Sequence, residues 1–434
     1  MTTASSPPTE THAVQASSTW ATTKLRFLLE VNPAMPADLR AQSDRLVPFV
    51  PMEALGEDGT LDTTRERPVS ELLTGYSYFA NGDVLMAKVT PCFENGKAAL
   101  VDTLPNGHGF GSTEVTTLRA SAGLYPDFLY YLVRSDHFRQ ASIASMTGAG
   151  GLKRVPDEHI RSFETPVPSE IEQRAIADFL NRETAKIDAL IDKQDQLIAT
   201  MREDRAATIT HAVTKGLDPD VELVAHGTDF PAIPAHWRVL PIKRMGNLVT
   251  GGTPASSDST NFTDPSDGLP WFRPEDLDTR GRPSSASKAL SSAGQTVVPR
   301  LTAPSVHVVS IGATLGKIGL VEVESASNQQ ITAVIGTSCP RFMYFALVAS
   351  YDRIWAASMG NTLPIISAGR LAMVNLPVPP VEEQAQISRH LTTRCATIDA
   401  LIDKSAEMIE ILREYRSALI TNAVTGKIDV REAV

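Results

Sequence analysis

A chain of 434 residues that is 42% hydrophobic and 21% charged has the composition of a folded protein of two or three domains, each large enough for its own core. Its 50 acidic against 40 basic residues give a formal net charge of −10, which excludes a protein that coats nucleic acid or anionic membrane along its whole length but leaves room for a local basic groove. Three scattered cysteines, Cys92, Cys339 and Cys395, offer neither a disulfide framework nor a CxxC metal site, and no run approaches the roughly 18 apolar residues of a membrane span, so a cytoplasmic protein is expected.

In chain order, residues 1–19 are rich in Thr, Ser and Pro without a basic-then-apolar signal pattern, and read as a disordered tail. Residues 20–165 are rich in turn formers, with β-prone runs such as Val84 to Val89, and predict a small α/β domain. Residues 166–218 open with Pro-x-Pro and a Glu-Gln pair. Roughly forty residues of good helix formers follow without Pro or Gly, which predicts a helix about 60 Å long. Residues 219–376 have the character of the first globular stretch, and residues 377–434 repeat the helix.

The helical repeat is gapless. PVPSEIEQ from Pro166 aligns with PVPPVEEQ from Pro377, and the block Ile187 to Lys193 recurs unchanged as Ile398 to Lys404. Apolar residues at Ile176, Leu180, Ile187, Leu190, Leu197 and Met201, with Ile387, Leu391, Ile398, Leu401, Met408 and Leu412 in the copy, suggest a heptad seam. Glu183, Arg394, Gln194 and Ser405 interrupt it. Two such helices in one chain would most economically pack on each other as an intramolecular coiled coil; the stretch between them is long enough to let them run antiparallel, with an approximate twofold axis between the halves, and a parallel arrangement stays open. The expected class is therefore α+β, two small α/β domains separated and joined by two long helices.

The globular stretches also rhyme. GDVLMAKVTPCFENGKAALV resembles APSVHVVSIGATLGKIGLV, GFGSTEV can be laid on SASNQQI, and each stretch closes with a Gly-containing loop before its Pro-x-Pro. Catalytic patterns are missing. The segment Gly312 to Lys317 falls one residue short of a phosphate loop and lacks its Ser/Thr, and neither HExxH nor GxSxG occurs. His108, His211 and His307 read as solvated or locally satisfied residues. Asp188 and Asp192, repeated as Asp399 and Asp403, put two carboxylates on one helix face and read as solvated or partner-facing charges. An enzyme acting alone is not expected, and a bivalent coiled-coil scaffold without nucleic-acid binding is the alternative reading.

With these phrases in order, together with FVPMEALGEDG, PAHWRVLPIKRMGNLVTGGTP and LPWFRPEDL, nearly the whole chain resembles the DNA sequence-specificity (S) subunits of type I restriction-modification systems. The resemblance implies two target recognition domains, each reading one half of a split double-stranded DNA target, and paired helices that set the spacer and dock two methyltransferase (M) subunits. Restriction (R) subunits would join that core. It also implies no cofactor on this chain, S-adenosylmethionine, ATP and Mg²⁺ belonging to the partners. Base edges are read by Arg, Lys, Asn and Gln, and phosphates by Lys and Arg. The candidate DNA-binding residues are Lys88, Lys97, Lys153 and Arg154 in the first domain and Arg273, Lys317, Asn328, Gln329, Gln330 and Asn361 in the second. No catalytic or metal-ligating residue is expected.

Overall fold

Two long helices, Glu170–Lys215 of 46 residues and Val381–Val424 of 44, follow the two Pro-x-Pro stops. They belong to a computed structural model that describes residues 20–227, 230–255, 258–360 and 362–430, so the tail expected over 1–19 lies outside the described residues. The first helix starts with a capping box. Ser169 Oγ accepts the Glu172 amide at 3.4 Å, and the Glu172 carboxylate accepts the Ser169 amide at 3.0 Å. Both helices stop at a left-handed glycine, Gly216 at φ +80° and Gly426 at φ +71°, a conformation that costs glycine no Cβ clash.

The heptad seam needs correction. Leu190, Leu197, Leu401 and Met408 are exposed, whereas Ile176, Ile187, Ile198 and Ile209 are buried, as are Ile387, Ile398, Ile409 and Ile420. The buried isoleucines recur every eleven residues, about 3.67 per turn, which tracks one face of a nearly straight helix; a strict heptad drifts off that face by about 20° per repeat. The early positions of the two patterns coincide, so the first half of each helix reads equally well as either.

Contacts divide the chain inside both helices rather than at their ends. One unit comprises residues up to Lys193 and from Met408 on; the other runs from Gln194 to Glu407. Each therefore holds one globular domain and a piece of each helix. In the second unit the helices run antiparallel: Gly216 lies beside Glu383, while Arg205 pairs with Asp399 at 2.9 Å and Asp204 with Arg394 at 3.4 Å. In the first unit Asp188 pairs with Arg416 at 3.0 Å. The repeat aligns Asp188 with Asp399 and Arg416 with Arg205, so one ion pair is made twice. Asp403 takes a further partner, Arg280, at 2.7 Å. Three of the four repeated carboxylates, expected as solvated or partner-facing charges, thus pair with arginines of the same chain, Asp188 and Asp403 while still exposed to solvent.

In the first unit one antiparallel sheet has the strand order Leu29–Val31, Val115–Ala120, Val84–Ala87, Ala98–Leu100. A second has the order Glu66–Pro68, Leu46–Val50, His108–Gly111, Ser77–Ala80, with Phe49 and Phe110 facing each other in a parallel pair. The amphipathic helix Pro126–Arg134 buries Phe128, Leu129 and Leu132 in the same core as Ile176, Leu180 and Ile420 of the long helices.

The second unit repeats the plan. Its first sheet runs Asn247–Thr250, Ile331–Ile335, Ser305–Val309, Ile318–Val321, and the helix Pro340–Val348 buries Phe342, Met343 and Phe345 with Ile209, Ile387 and Leu391. Its second sheet keeps the parallel pair, Leu269–Phe272 with Ala326–Ser327, but where the first domain has one strand on each side of that pair, both further strands, Lys288–Leu290 and then Phe262–Thr263, lie on the Leu269–Phe272 side. The two domains differ most at the edges of this sheet.

The Glu-Gln pair acquires a structural reason. Gln173 is fully buried; its amide nitrogen donates to the carbonyls of Gly123 at 2.8 Å and Pro168 at 3.0 Å, and its oxygen accepts the Tyr125 amide at 2.7 Å. Gln384 donates to the Pro379 carbonyl at 2.9 Å, and the neighbouring Glu383 accepts the Trp237 indole at 3.1 Å. Truncating Gln173 to Ala should cost about 2–4 kcal/mol because buried backbone groups lose their partner, and Gln384→Ala about 1–2 kcal/mol. Urea unfolding of the two variants checks the order.

His307 is not solvated but locally bonded, its Nε2 within 3.2 Å of Ser305 Oγ. It is fully buried on the strand Ser305–Val309, edge-on to Phe272 with ring centroids 5.3 Å apart, and burial pushes its pKa down to about 3. The unfolded chain therefore binds a proton that the folded one refuses between about 3 and the ordinary 6.5. Stability is unaffected above that window and falls as the pH drops into it. Leu85 holds the equivalent strand position in the first domain. His307→Leu should lose less unfolding temperature than wild type between pH 7.5 and 5.5, which thermal melts at the two pH values measure.

Candidate nucleic-acid interface

Three segments of the first domain converge just beyond the strand Val84–Ala87. Lys88 donates its amide to the Glu114 carbonyl and accepts the Val155 amide, both at 2.9 Å. The hairpin Thr147–Ala149 with Leu152–Arg154 is tied down by Thr90, whose amide donates to the Lys153 carbonyl at 3.0 Å and whose hydroxyl donates to the Gly151 carbonyl at 2.9 Å. Gly150 and Gly151 turn the hairpin at φ +64° and +83°, and both strands are exposed.

Side chains complete the junction. Arg154 forks onto Glu114, Nε to Oε2 at 2.9 Å and Nη2 to Oε1 at 2.6 Å. The Arg154 hydrogen bonds, with the charges of Arg154 and Lys88, hold the Glu114 carboxyl below the usual carboxylate range despite partial burial. Lys88 is half-buried and Lys153 exposed. Two of the four candidates in this domain, Lys88 and Arg154, thus lie beside the Glu114 carboxylate, and Lys153 is next to them on the hairpin.

The second domain builds the same scaffold with other chemistry. Ser310 donates its amide to the Gln330 carbonyl at 2.6 Å and accepts the Ile366 amide at 2.9 Å, and Ile311 bridges Ile365 as Val89 bridges Arg154. Ser310, Gln330 and Ile365 therefore occupy the places of Lys88, Glu114 and Arg154. Asn328 is buried and braces Gln330, donating Nδ2 to its Oε1 at 2.9 Å and accepting its amide at 3.1 Å. Gln329 is exposed, its Oε1 accepting the Thr253 hydroxyl. Asn361 lies outside the described residues.

The remaining candidates sit elsewhere. Lys97 reaches the Met52 carbonyl at 3.5 Å and Lys317 the Pro274 carbonyl at 2.7 Å. These are equivalent lysines on equivalent short 3₁₀ turns, Met52–Ala54 and Pro274–Asp276, so each ammonium pins a loop of its own domain. Arg273 pairs with Glu275 at 2.8 Å and donates to Ser287 at 2.9 Å. Glu114 was findable from the alignment of GFGSTEV with SASNQQI, which sets it against Gln330.

Two domains of one plan and a duplicated helix define a twofold-repeated chain whose equivalent junctions differ in charge. Residues 234–410 match the family model described as the type I restriction modification DNA specificity domain. The EcoEI and EcoAI type I restriction enzyme specificity subunits of Escherichia coli are 30% identical over 192 residues and 31% over 193. Each match covers 42% of this chain and 32% of the relative, so the chain spans about a third of the length of these curated relatives. The putative MjaX specificity subunit of Methanocaldococcus jannaschii is 20% identical over 363 residues, 81% of this chain and 79% of that one.

Two solved structures share the fold. One, from work on complex assembly and conformational transition of the type I R-M system, has a TM-score of 0.73 at 20% identity over 96% of this chain and 100% of that one. The other, the HsdS subunit of Thermoanaerobacter tengcongensis, has 0.53 at 20% identity over 96% and 99%. Over these spans the chain is similar to the specificity subunits of type I restriction-modification systems, the family its motifs resemble. No helix among the described residues is long and apolar enough to cross a membrane.

Proposed function

We propose that this chain is the DNA sequence-specificity subunit of a type I restriction-modification complex and does no chemistry itself. Each recognition domain reads one half of a split target, the first through the Lys88, Lys153 and Arg154 junction and the second through Gln329 and Gln330. The observation that carries this reading is the pair of equivalent junctions, one charged and one neutral, on a shared scaffold. Divergence at matched positions suits two readers of two different half-sites, and a scaffold binding the same partner twice has no use for it.

The helices supply the partner surface. They expose apolar residues at matched positions, Leu190 and Leu401, Leu197 and Met408, as two copies of one docking site for M subunits would. S-adenosylmethionine, ATP and Mg²⁺ are then bound by the M and R subunits, in the cytoplasm. The second domain is near neutral by residue count and the whole chain acidic, so part of the phosphate contact and counterion release comes from the partners. Co-expression with the cognate methyltransferase subunit, followed by genome-wide mapping of methylated adenines, should return a split motif. Salt-sensitive binding of the assembled complex to duplex DNA is expected as well, and a complex showing neither overturns the reading.

A further inference from the structure

We infer that Arg154 reads the edge of a G·C base pair in the half-site of the first recognition domain, and that Glu114 is the positioning residue that aims it. This rests on the DNA-reading role proposed above. A guanidinium carries five N–H donors in a rigid plane. Glu114 takes one from Nε and one from Nη2, which fixes the plane and leaves the Nη1 pair and the outer Nη2 hydrogen as a free two-pronged edge. Such an edge matches O6 and N7 of guanine in the major groove.

Magnitudes favour this over a merely structural clasp. The Arg154 side chain is 45% exposed, and exposed ion pairs add little to stability. The hairpin is already held by the backbone and Thr90 bonds to Lys88, Lys153 and Gly151, so it does not need the fork. What the fork does supply is order: a long side chain at the exposed end of a hairpin is fixed before it meets a partner, which lowers the entropy cost of binding. The turn beside it is Gly150-Gly151, with no side chains to stand between the hairpin and a groove. At the matching place the second domain has Gln330 and Ile365, which can form no such fork, so the inference concerns one half-site alone.

The test uses the full chain assembled with its methyltransferase subunit, and duplexes built on the wild-type motif with each base pair of the first domain's half-site exchanged in turn. R154Q should lower the preference for G·C at one position about ten- to a hundred-fold, and R154K by a smaller factor, since an ammonium can still donate to O6 and N7 but has no plane for Glu114 to fix. E114Q should relax that same position by a smaller factor, and the other half-site should keep its full stringency in all three. Retained G·C preference at every position in R154Q and R154K overturns the inference, as does loosening of both halves together or relaxation by E114Q at a different base pair. If R154Q fails to assemble, R154K, which keeps the charge, decides. A wild-type complex without a split motif would instead sink the DNA-reading role, and this inference with it.

Discussion

Inserting four residues after Lys193 and four more after Glu407 is expected to abolish methylation at the wild-type target and to move it to one whose unspecified spacer is longer by about two base pairs. Both points lie where the contacts of the chain divide, so each globular domain keeps its own helix pieces. The ion pairs within a unit, Asp188 with Arg416 and Arg205 with Asp399, keep their partners. Four residues add about 6 Å of helix at 1.5 Å per residue, close to two steps of B-DNA at about 3.4 Å. Insertion after Lys193 alone cannot preserve both ion pairs, because as many residues separate Asp188 from Arg205 as Asp399 from Arg416. It should therefore destabilise the chain where the double insertion does not. Motif mapping with both variants is the measurement, and an active double-insertion complex with an unchanged spacer would show that the helices do not set the separation.

The repeat, the helices and the two-domain plan were legible because each rests on a pattern that physics keeps local. Pro-x-Pro ends one element, Glu-Gln starts the next, and forty residues without Pro or Gly leave the chain little but a helix. The helix face was less legible. Leu190 and Ile191 are adjacent and both apolar, and only packing decides that Ile191 turns inward while Leu190 stays exposed. The candidate site divided along similar lines. Residue type nominated Lys97 and Lys317 as readily as Lys153, but whether a lysine is free or pinned to a carbonyl depends on a loop about 45 residues away, Met52 for Lys97 and Pro274 for Lys317. Glu114 was passed over for the opposite reason: a carboxylate seems wrong for DNA until its partner, forty positions on, is seen to be Arg154.

Removing the Asp399 carboxylate should be the most damaging single change in the helices. Asp399 and Arg205 are 13% and 14% exposed at their side chains, 2.9 Å apart, and Arg205 also donates to the Arg280 carbonyl at 3.1 Å. Asp399→Ala leaves a guanidinium in a poorly hydrated place without its counter-charge, a loss of about 3–5 kcal/mol. The copy of this pair is wetter. Asp188 is 40% exposed, so water can take the place its carboxylate leaves beside Arg416, itself 15% exposed, and a smaller loss of about 1–2 kcal/mol is expected there. A desolvation cost should also be recoverable: replacing both partners, as Arg205→Met with Asp399→Leu, removes the buried charges together and should return most of what the single change loses. Urea unfolding of the two alanine variants and the double replacement tests this ordering. Equal losses for Asp399→Ala and Asp188→Ala, or a double replacement as unstable as the single one, would mean that burial does not set the strength of these pairs.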